Sequence, residues 1–170
     1  MPAITVTRTY LRLDAPDKLR ATPSTDPSVV VRLLRPCPVA RARVLYELVG
    51  AEWHWRDRNA WSDEQLVAHL ASDEVAVWEM THDGAPAGYF ELARHTDSSV
   101  EIVYFGLARS HFGRGLGKIL LTRAVEEAWR MGGTTVWLHT CTLDGPAALP
   151  NYLARGFEPF REERYETDIP

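Results

Sequence analysis

The sequence predicts an α/β protein built on one mixed sheet with helices packed against it. Apolar runs of strand length alternate along the chain with amphipathic stretches of helix length. The order read from these patterns is β–α–α–β–β–β–α–β–α–β, with most strands clustered before one long helix. No repeat or low-complexity tract divides the chain, so we expect one sheet and one core.

Size, composition and charge narrow the class of protein. The 170 residues have room for one sizeable core, and 45% hydrophobic with 25% charged residues is typical of a globular domain. The net charge of −4 offers no basic surface, so we expect no nucleic-acid partner. No apolar run approaches the ~20 residues of a membrane span, and no signal-peptide core is present, so we expect a cytoplasmic protein. Cys37 and Cys141 lack metal-ligand spacing, and we expect no metal.

Residues 1–27 are predicted to be an N-terminal extension, and residues 28–170 to be the main domain. Within the extension, Tyr10–Leu13 could form a strand, and three prolines then interrupt the pattern. The extension packs either on the domain or on a partner, and its sequence favours neither.

The flanking elements of the main domain follow from local patterns. Ser62 and Gln65 have the spacing of a capping box, which marks the start of a helix. A turn rich in Asp, Gly and Pro separates two strand-like runs, which predicts a hairpin. The predicted ranges are Ser28–Leu34 (strand), Val39–Val49 (helix), Ser62–Ala71 (helix), Glu74–Thr81 and Ala87–Ala93 (hairpin), Thr134–Thr140 (strand), a short helix opened by Leu143–Pro146 and ending near Arg155, and two terminal extended pieces at Phe157–Phe160 and Glu163–Thr167.

The stretch from Val100 to Met131 carries the strongest chemical signal. It reads as a buried strand, a glycine-rich loop and an amphipathic helix that begins near Gly115. The first N–H groups of a helix lack intrahelical acceptors and lie at the positive end of its dipole. Together with neighbouring basic residues they predict an anion site sized for phosphate. The alternative is a glycine turn that only packs strand against helix.

Two familiar phosphate loops fail on this stretch. The first glycine of a Walker A loop would fall on Phe112, and Ile119 follows the lysine where Ser or Thr is needed. A dinucleotide fingerprint needs a different glycine spacing and an acidic residue about 20 residues on. Neither condition is met.

The loop instead resembles the acetyl-CoA loop of the GNAT N-acetyltransferase superfamily: Gln or Arg, two residues, Gly, one residue, then Gly or Ala. Gly115 and Gly117 match, and Phe112 stands where Gln or Arg is usual. A second stretch is similar to the family's late helix. Its Ala148, Tyr152, Gly156 and Phe157 are in register, whereas Gly145 replaces a common Asn and Asn151 replaces an apolar residue. The strand Glu101–Phe105 is similar to the strand that carries a base glutamate in histone-type members.

The resemblance implies a mostly antiparallel sheet that splays open between Val100–Leu107 and Thr134–Thr140 to admit acetyl-CoA. The implied reaction is acetyl transfer from acetyl-CoA to a primary amine on a small molecule or protein, by direct attack in a ternary complex. A non-catalytic acetyl-CoA-binding regulatory or scaffolding domain is the alternative, and a homodimer is compatible with either. The implied acetyl-CoA-binding residues are Phe105, Gly106, Leu107, Arg109, Gly113, Arg114, Gly115, Leu116, Gly117 and Lys118.

Such a reaction needs a base, because an amine with a pKa of about 10.4 arrives protonated. Glu101 and Glu91 are the candidate bases; strand alternation predicts that Glu101 shares a face with Val103 and Phe105. A cross-strand ion pair is the alternative role for Glu101, and a solvated strand end is the alternative for Glu91.

Tyr152 is the candidate acid for the departing thiolate, with core packing as its alternative. Trp53, Trp55 and Trp61 are candidates for the acceptor pocket, where they could bind an apolar or cationic group; core or interface packing accounts for them equally well. His139 and Cys141 lie on one strand face, and a packed-core role is predicted for both.

Overall fold

The computed structural model describes residues 2–168, which form seven strands and four α-helices. Their bounds are β1 (Ala3–Leu13), β2 (Val29–Leu34), α1 (Val39–Gly50), α2 (Asp63–Ala71), β3 (Val75–His82), β4 (Ala85–Arg94), β5 (Val100–Leu107), α3 (Leu116–Arg130), β6 (Val136–Cys141), α4 (Ala148–Ala154) and β7 (Glu158–Asp168).

All seven strands belong to one sheet with the order β2-β3-β4-β5-β6-β1-β7. Every neighbouring pair is antiparallel except β5 and β6, which are parallel. That parallel pair is registered only at Val100 with Val136 and at Glu101 with Trp137. Beyond these residues the two strands diverge and leave their facing edges unpaired, which confirms the predicted mixed, mostly antiparallel sheet with a splay.

Helices cover both faces of the sheet. On one face α3 and α4 pack over the larger core, to which Phe90, Leu120 and Leu138 contribute fully buried side chains. On the other face α1 and α2 cover a smaller core that includes Leu45 and Leu66. None of the helices described between residues 2 and 168 has both the length and the apolar content of a membrane span.

The first strand lies inside the sheet. β1 pairs with β6 on one side and with β7 on the other, and Leu11 and Leu13 are buried in the larger core. Residues 3–13 are therefore part of the sheet, on the far side of the splay from β5. The division of the chain at residue 28 stays a prediction.

A β-bulge interrupts β5 at Val103. Leu92 of β4 faces Ile102, but the preceding residue Glu91 faces Tyr104, so Val103 is extra. Ile102 consequently packs in the core under α3, whereas Tyr104 packs against the core under α1 and α2. The predicted shared face of Glu101 and Phe105 is wrong, because the bulge reverses the alternation between them.

The predicted capping box at α2 is confirmed. The Ser62 hydroxyl accepts a hydrogen bond from the Gln65 backbone N–H (3.1 Å), and the Gln65 side chain accepts one from the Ser62 N–H (2.8 Å). This cap sets where α2 starts, and therefore how long the preceding loop at residues 51–62 can be. That loop carries the three tryptophans discussed below.

Candidate active site

A cavity of about 840 Å³ opens where β5 and β6 diverge. It is lined by the end of β5, the glycine loop (residues 112–118), the tryptophan segment (residues 53–57), β6, the turn into α4, and the end of β7. Its size falls within the range of small-molecule and cofactor sites. The splay therefore opens into a cavity large enough for a small molecule or a cofactor.

The glycine loop presents the N-terminus of α3 to this cavity. Gly113 and Gly115 both have φ of 74°, a left-handed conformation that glycine adopts without strain. Gly115 is the N-cap of the 15-residue α3, and no side chain of the described residues caps it. The helix dipole and the uncapped N–H groups together make this end attractive to an anion.

Eight of the ten predicted acetyl-CoA-binding residues line the cavity, and the two arginines do not. Arg109 is 77% exposed and its guanidinium lies 3.4 Å from a carboxylate oxygen of Glu52. Arg114 is exposed on the loop. Of the Lys and Arg side chains that line the cavity (Arg8, Arg56 and Lys118), Lys118 is the one on the glycine loop, and its Cε would lie 3.3 Å from a Cβ on Gly115.

Tyr152 stands on α4 at the wall of the cavity. Its ring packs edge-on against Phe105 (centroids 6.0 Å apart) and Phe157 (6.1 Å), and only 6% of the residue is exposed. Burial, with a smaller contribution from the negative charge of Asp144, raises the pKa of the phenol. The hydroxyl therefore keeps its proton near neutral pH. Core packing and a position at the cavity are both realised in this residue.

The three residues that depart from the family motifs have physical partners in the structure. The Asn151 side-chain amide donates to the Gly117 carbonyl (3.2 Å) and ties α4 to the start of α3. The ring of Phe112 stacks on Trp53. A Cβ on Gly145 would lie only 2.9 Å from that same indole, so glycine leaves room for the ring. Two departures thus accommodate one tryptophan.

The predicted tryptophans separate into two groups. Trp53 and Trp55 line the cavity. Trp55 also packs against Tyr104 and Tyr46, with ring centroids 5.1 and 5.6 Å away. Trp61 is not among the lining residues and packs edge-on against His69 instead.

Glu91 forms a buried ion pair and does not line the cavity. Its carboxylate accepts two hydrogen bonds from Arg58 (2.6 and 3.0 Å) and contacts His69 Nε2 at 3.0 Å. Burial acts to raise the pKa of Glu91, but hydrogen bonds from His69 and Arg58 and the charge of Arg58 outweigh it, so the pKa is lowered. A carboxylate held this way is a poor base. It anchors the loop at residues 51–62 to β4.

Glu101 also lies outside the cavity lining. Its carboxylate contacts His95 Nε2 at 2.9 Å, at the end of the sheet where β5 and β6 are still paired. His95 lies in the turn between β4 and β5, so Glu101 has a partner within its own hairpin and not the cross-strand partner that was the alternative to a catalytic role. The structure thus brings Tyr152 and the loop glycines together and leaves both glutamates apart from them.

His139 is a cavity residue that sequence reasoning missed. It lies on β6 two residues beyond the last β5–β6 pair, and its side chain is exposed to the cavity. The packed-core role predicted for His139 is wrong, because alternation buries Val136, Leu138 and Thr140 and directs His139 to the opposite face. That alternation was visible in the sequence. The sequence does not show which face of β6 the helices leave uncovered.

Within residues 2–168, no group of three or more His, Cys, Asp or Glu side chains is arranged to hold a metal ion. The cavity offers backbone N–H groups, aromatic walls and tyrosine phenols, together with the imidazoles of His54 and His139 and the carboxylates of Asp57, Asp144 and Asp168.

Comparisons with solved structures show the same fold at low identity. A GCN5-related N-acetyltransferase from Kribbella flavida matches with a TM-score of 0.67 and 19% identity, over 94% of this chain and 56% of that one. A tandem GNAT protein from the clavulanic acid biosynthesis pathway matches with a TM-score of 0.63 and 20% identity, over 100% and 55%. An aminoglycoside acetyltransferase from an uncultured soil metagenomic sample matches with a TM-score of 0.64 and 17% identity, over 78% and 90%.

The first two of these neighbours are nearly twice as long as the part that matches, so this chain spans little more than half of them. No curated protein matches the chain in sequence. The model of the acetyltransferase (GNAT) family matches residues 42–157, which include the splay, the glycine loop and α4. The chain therefore belongs to the GNAT family of acetyltransferases.

Proposed function

We propose that this protein transfers an acetyl group from acetyl-CoA to a primary amine by direct attack in a ternary complex. The observation that carries the proposal is the gap between β5 and β6, which runs to the uncapped N-terminus of α3. A CoA thioester has a diphosphate at one end of a long polar arm and the reacting carbonyl at the other. The helix end suits the diphosphate because it attracts anions, and the gap suits the polar arm because its strand edges are unpaired.

The diphosphate is assigned to the glycine loop. Backbone N–H groups at residues 113–118 would donate to its oxygens, and Lys118 would add a full positive charge. Any other residue at position 113 or 115 would have to adopt a positive φ, which most residues do only with strain. The arm would then run along the unpaired edges of β5 beyond Glu101 and of β6 beyond Trp137. Free strand edges offer it N–H donors and carbonyl acceptors.

Tyr152 is assigned the role of acid. The amine nitrogen attacks the thioester carbonyl, the N–C bond forms and the C–S bond breaks, and the sulfur leaves as a thiolate unless it gains a proton. The Tyr152 hydroxyl, kept protonated by burial, supplies that proton or a hydrogen bond to the sulfur. A proton lost by the nitrogen then restores the phenol.

The acceptor is assigned to the end of the cavity bounded by the tryptophan segment and β7. Trp53 and Trp55 provide aromatic surface, and Asp57 and Asp168 add acidic groups to the same lining, where Arg56 donates to the Asp168 backbone carbonyl (2.8 Å). This combination suits a cationic amine with an apolar body. One structural neighbour is an aminoglycoside acetyltransferase in complex with sisomicin. Sisomicin, tryptamine and spermidine therefore form a first panel of acceptors.

One observation favours the alternative of a non-catalytic acetyl-CoA-binding domain: neither predicted glutamate lines the cavity. Calorimetry with acetyl-CoA and a thiol-detection assay with the panel separate the two functions. An enzyme releases CoA only when an amine is present, in proportion to the amine. A binding domain gives saturable heat and no release. Absence of binding would contradict both.

A further inference from the structure

The proposed acetyl transfer needs a proton acceptor that the two predicted glutamates do not supply from within the cavity. An ammonium cannot attack a carbonyl until it loses a proton. Glu91 already binds Arg58 and His69, and Glu101 contacts His95. The group sought must reach the cavity, be neutral near pH 7 and lie near the splay. This requirement rests on the proposed function.

We propose that His139 accepts the proton of the acceptor ammonium. Its imidazole lies in the cavity lining at the point where β6 has just separated from β5, which is where the reacting end of a thioester threaded through the gap would emerge. The tryptophan segment lines the same cavity. His139 thus lines the same cavity as the places assigned to thioester and amine.

The surroundings of His139 keep the imidazole neutral, so that its unprotonated ring nitrogen is available to accept a proton. The protein atoms around the cavity partly desolvate the imidazole, which lowers the pKa of His139, and the positive charge of Arg8 lowers it further. Negative groups act in the opposite direction and are outweighed. The groups that face it are Arg8 and Tyr10 of β1, Glu101 of β5, Asp144 after β6 and Asp57 of the tryptophan segment. An imidazole with a lowered pKa is unprotonated at neutral pH and ready to accept a proton.

The step balances without another reactant. The imidazole takes one proton from the ammonium, and the resulting amine forms its N–C bond as the C–S bond breaks. The second proton lost by that nitrogen goes to the sulfur through Tyr152. The products are the amide, CoA thiol and a protonated His139, which returns its proton to solvent.

The ring of Tyr10 limits how the imidazole can move. The two ring centroids are 5.5 Å apart and the planes are inclined by 56°. Tyr10 lies directly opposite His139 in the β1–β6 pair, so the contact is built into the sheet register. β1 thereby supplies part of the active-site wall.

A first experiment needs no acceptor. Histidine imidazole signals are followed by NMR in the whole protein while acetyl-CoA is added, with His139→Gln used to assign one signal. His95 serves as the matched control, because it is a histidine outside the cavity lining. We expect the His139 signal to move on saturation and the His95 signal to stay. An unmoved His139 signal, with acetyl-CoA binding seen by calorimetry, would overturn this inference and leave the proposed function standing.

A second experiment compares His139→Gln, His95→Gln and Glu101→Gln in kcat/KM across pH with sisomicin, tryptamine and spermidine. In the wild type, kcat/KM should rise as pH passes the lowered pKa of His139. His139→Gln should lose roughly 100-fold at pH 7, the lower end of general-base effects, and recover toward pH 10 as the ammonium loses its proton to solvent without help. His95→Gln should stay within about twofold of wild type.

Two outcomes of this comparison would contradict the role of His139. One is a His139→Gln variant whose kcat/KM equals that of the wild type and rises with pH in the same way. The other is a loss with the same pH dependence in Glu101→Gln alone. If no amine of the panel is acetylated, the proposed transfer to such amines is contradicted, and the NMR response still decides whether His139 lies at the reacting end.

Discussion

The indole of Trp53 stacks on the ring of Phe112, with centroids 6.1 Å apart and planes inclined by 25°. Trp53 precedes α2, and Phe112 precedes the helix that presents the anion site. The same indole approaches Gly145, on the turn into α4. Three separate segments of the cavity wall therefore meet at one side chain. Two of the three residues that depart from the family motifs, at 112 and 145, lie against it.

Gly145→Ala should destabilise the protein through Trp53. The new Cβ would lie 2.9 Å from the indole, and overpacking of this kind costs about 1–3 kcal/mol. Urea unfolding measures the change in the free energy of unfolding. In a Trp53→Ala background the same substitution should cost far less, because the obstructing ring is gone. An equal cost in both backgrounds would show that Trp53 is not the cause.

Tyr152→Phe should lower turnover while leaving the cofactor bound. The substitution removes the hydroxyl and keeps the ring that packs on Phe105 and Phe157. We expect kcat to fall by roughly 100-fold or more, as for loss of a general acid, and the Kd for acetyl-CoA to change by less than about threefold. An unchanged kcat would mean that the thiolate leaves without help from this residue.

Glu91→Gln should reduce stability at neutral pH and flatten its dependence on acid. Breaking a buried ion pair costs about 3–5 kcal/mol, and glutamine keeps much of the shape. The pKa of Glu91 is lower in the folded protein than in the unfolded chain. The stabilisation that the ionised Glu91 gives the folded protein is therefore complete at pH values above the pKa of an ordinary carboxyl group. It is lost as the pH falls through the lowered pKa of Glu91.

Urea unfolding of both proteins between pH 3 and 7 checks this expectation. The difference in the free energy of unfolding should be largest near pH 7 and shrink toward pH 3. A difference that stays constant across the range would show that the substitution acts through packing, and not through loss of the Glu91 negative charge that pairs with Arg58.

Lys118→Ala should weaken CoA binding in a salt-dependent way. Lys118 is the charged side chain of the glycine loop that lines the cavity. Its removal should raise the Kd for CoA by roughly three- to tenfold in dilute buffer and by less in 0.5 M salt, because salt screens exposed charges. Arg130→Ala is the matched control, since it changes the net charge equally at the opposite end of α3. Equal effects of the two would indicate a long-range charge effect only.

Local patterns predicted the parts of the fold that depend on neighbouring residues. The hairpin of β3 and β4, the capping box at Ser62 and the loop before α3 all depend on residues close in sequence, where periodicity and turn chemistry decide the structure. The insertion of β1 between β6 and β7 joins residues more than 100 positions apart. No local pattern encodes such a pairing.

The errors in the candidate site have the same origin. Alternation along β5 was a sound argument until the bulge at Val103, which depends on how β4 pairs with it. His139 was assigned to the core because the sequence does not reveal that α1 and α2 leave the β6 face open. Glu91 is a candidate base on sequence alone because no local pattern indicates that Arg58, 33 residues away, pairs with it. Each missing fact is a contact between distant segments.

CoA binding to Gly115→Asp and Gly115→Asn, measured by calorimetry, tests the central claim that the start of α3 binds the diphosphate. Both residues have the same shape and tolerate the left-handed φ of 74° better than most, so they differ mainly in charge. The account predicts that Asp binds CoA at least about tenfold more weakly than Asn, a difference of about 1.4 kcal/mol. Equal affinities for the two variants, close to that of the wild type, would contradict it.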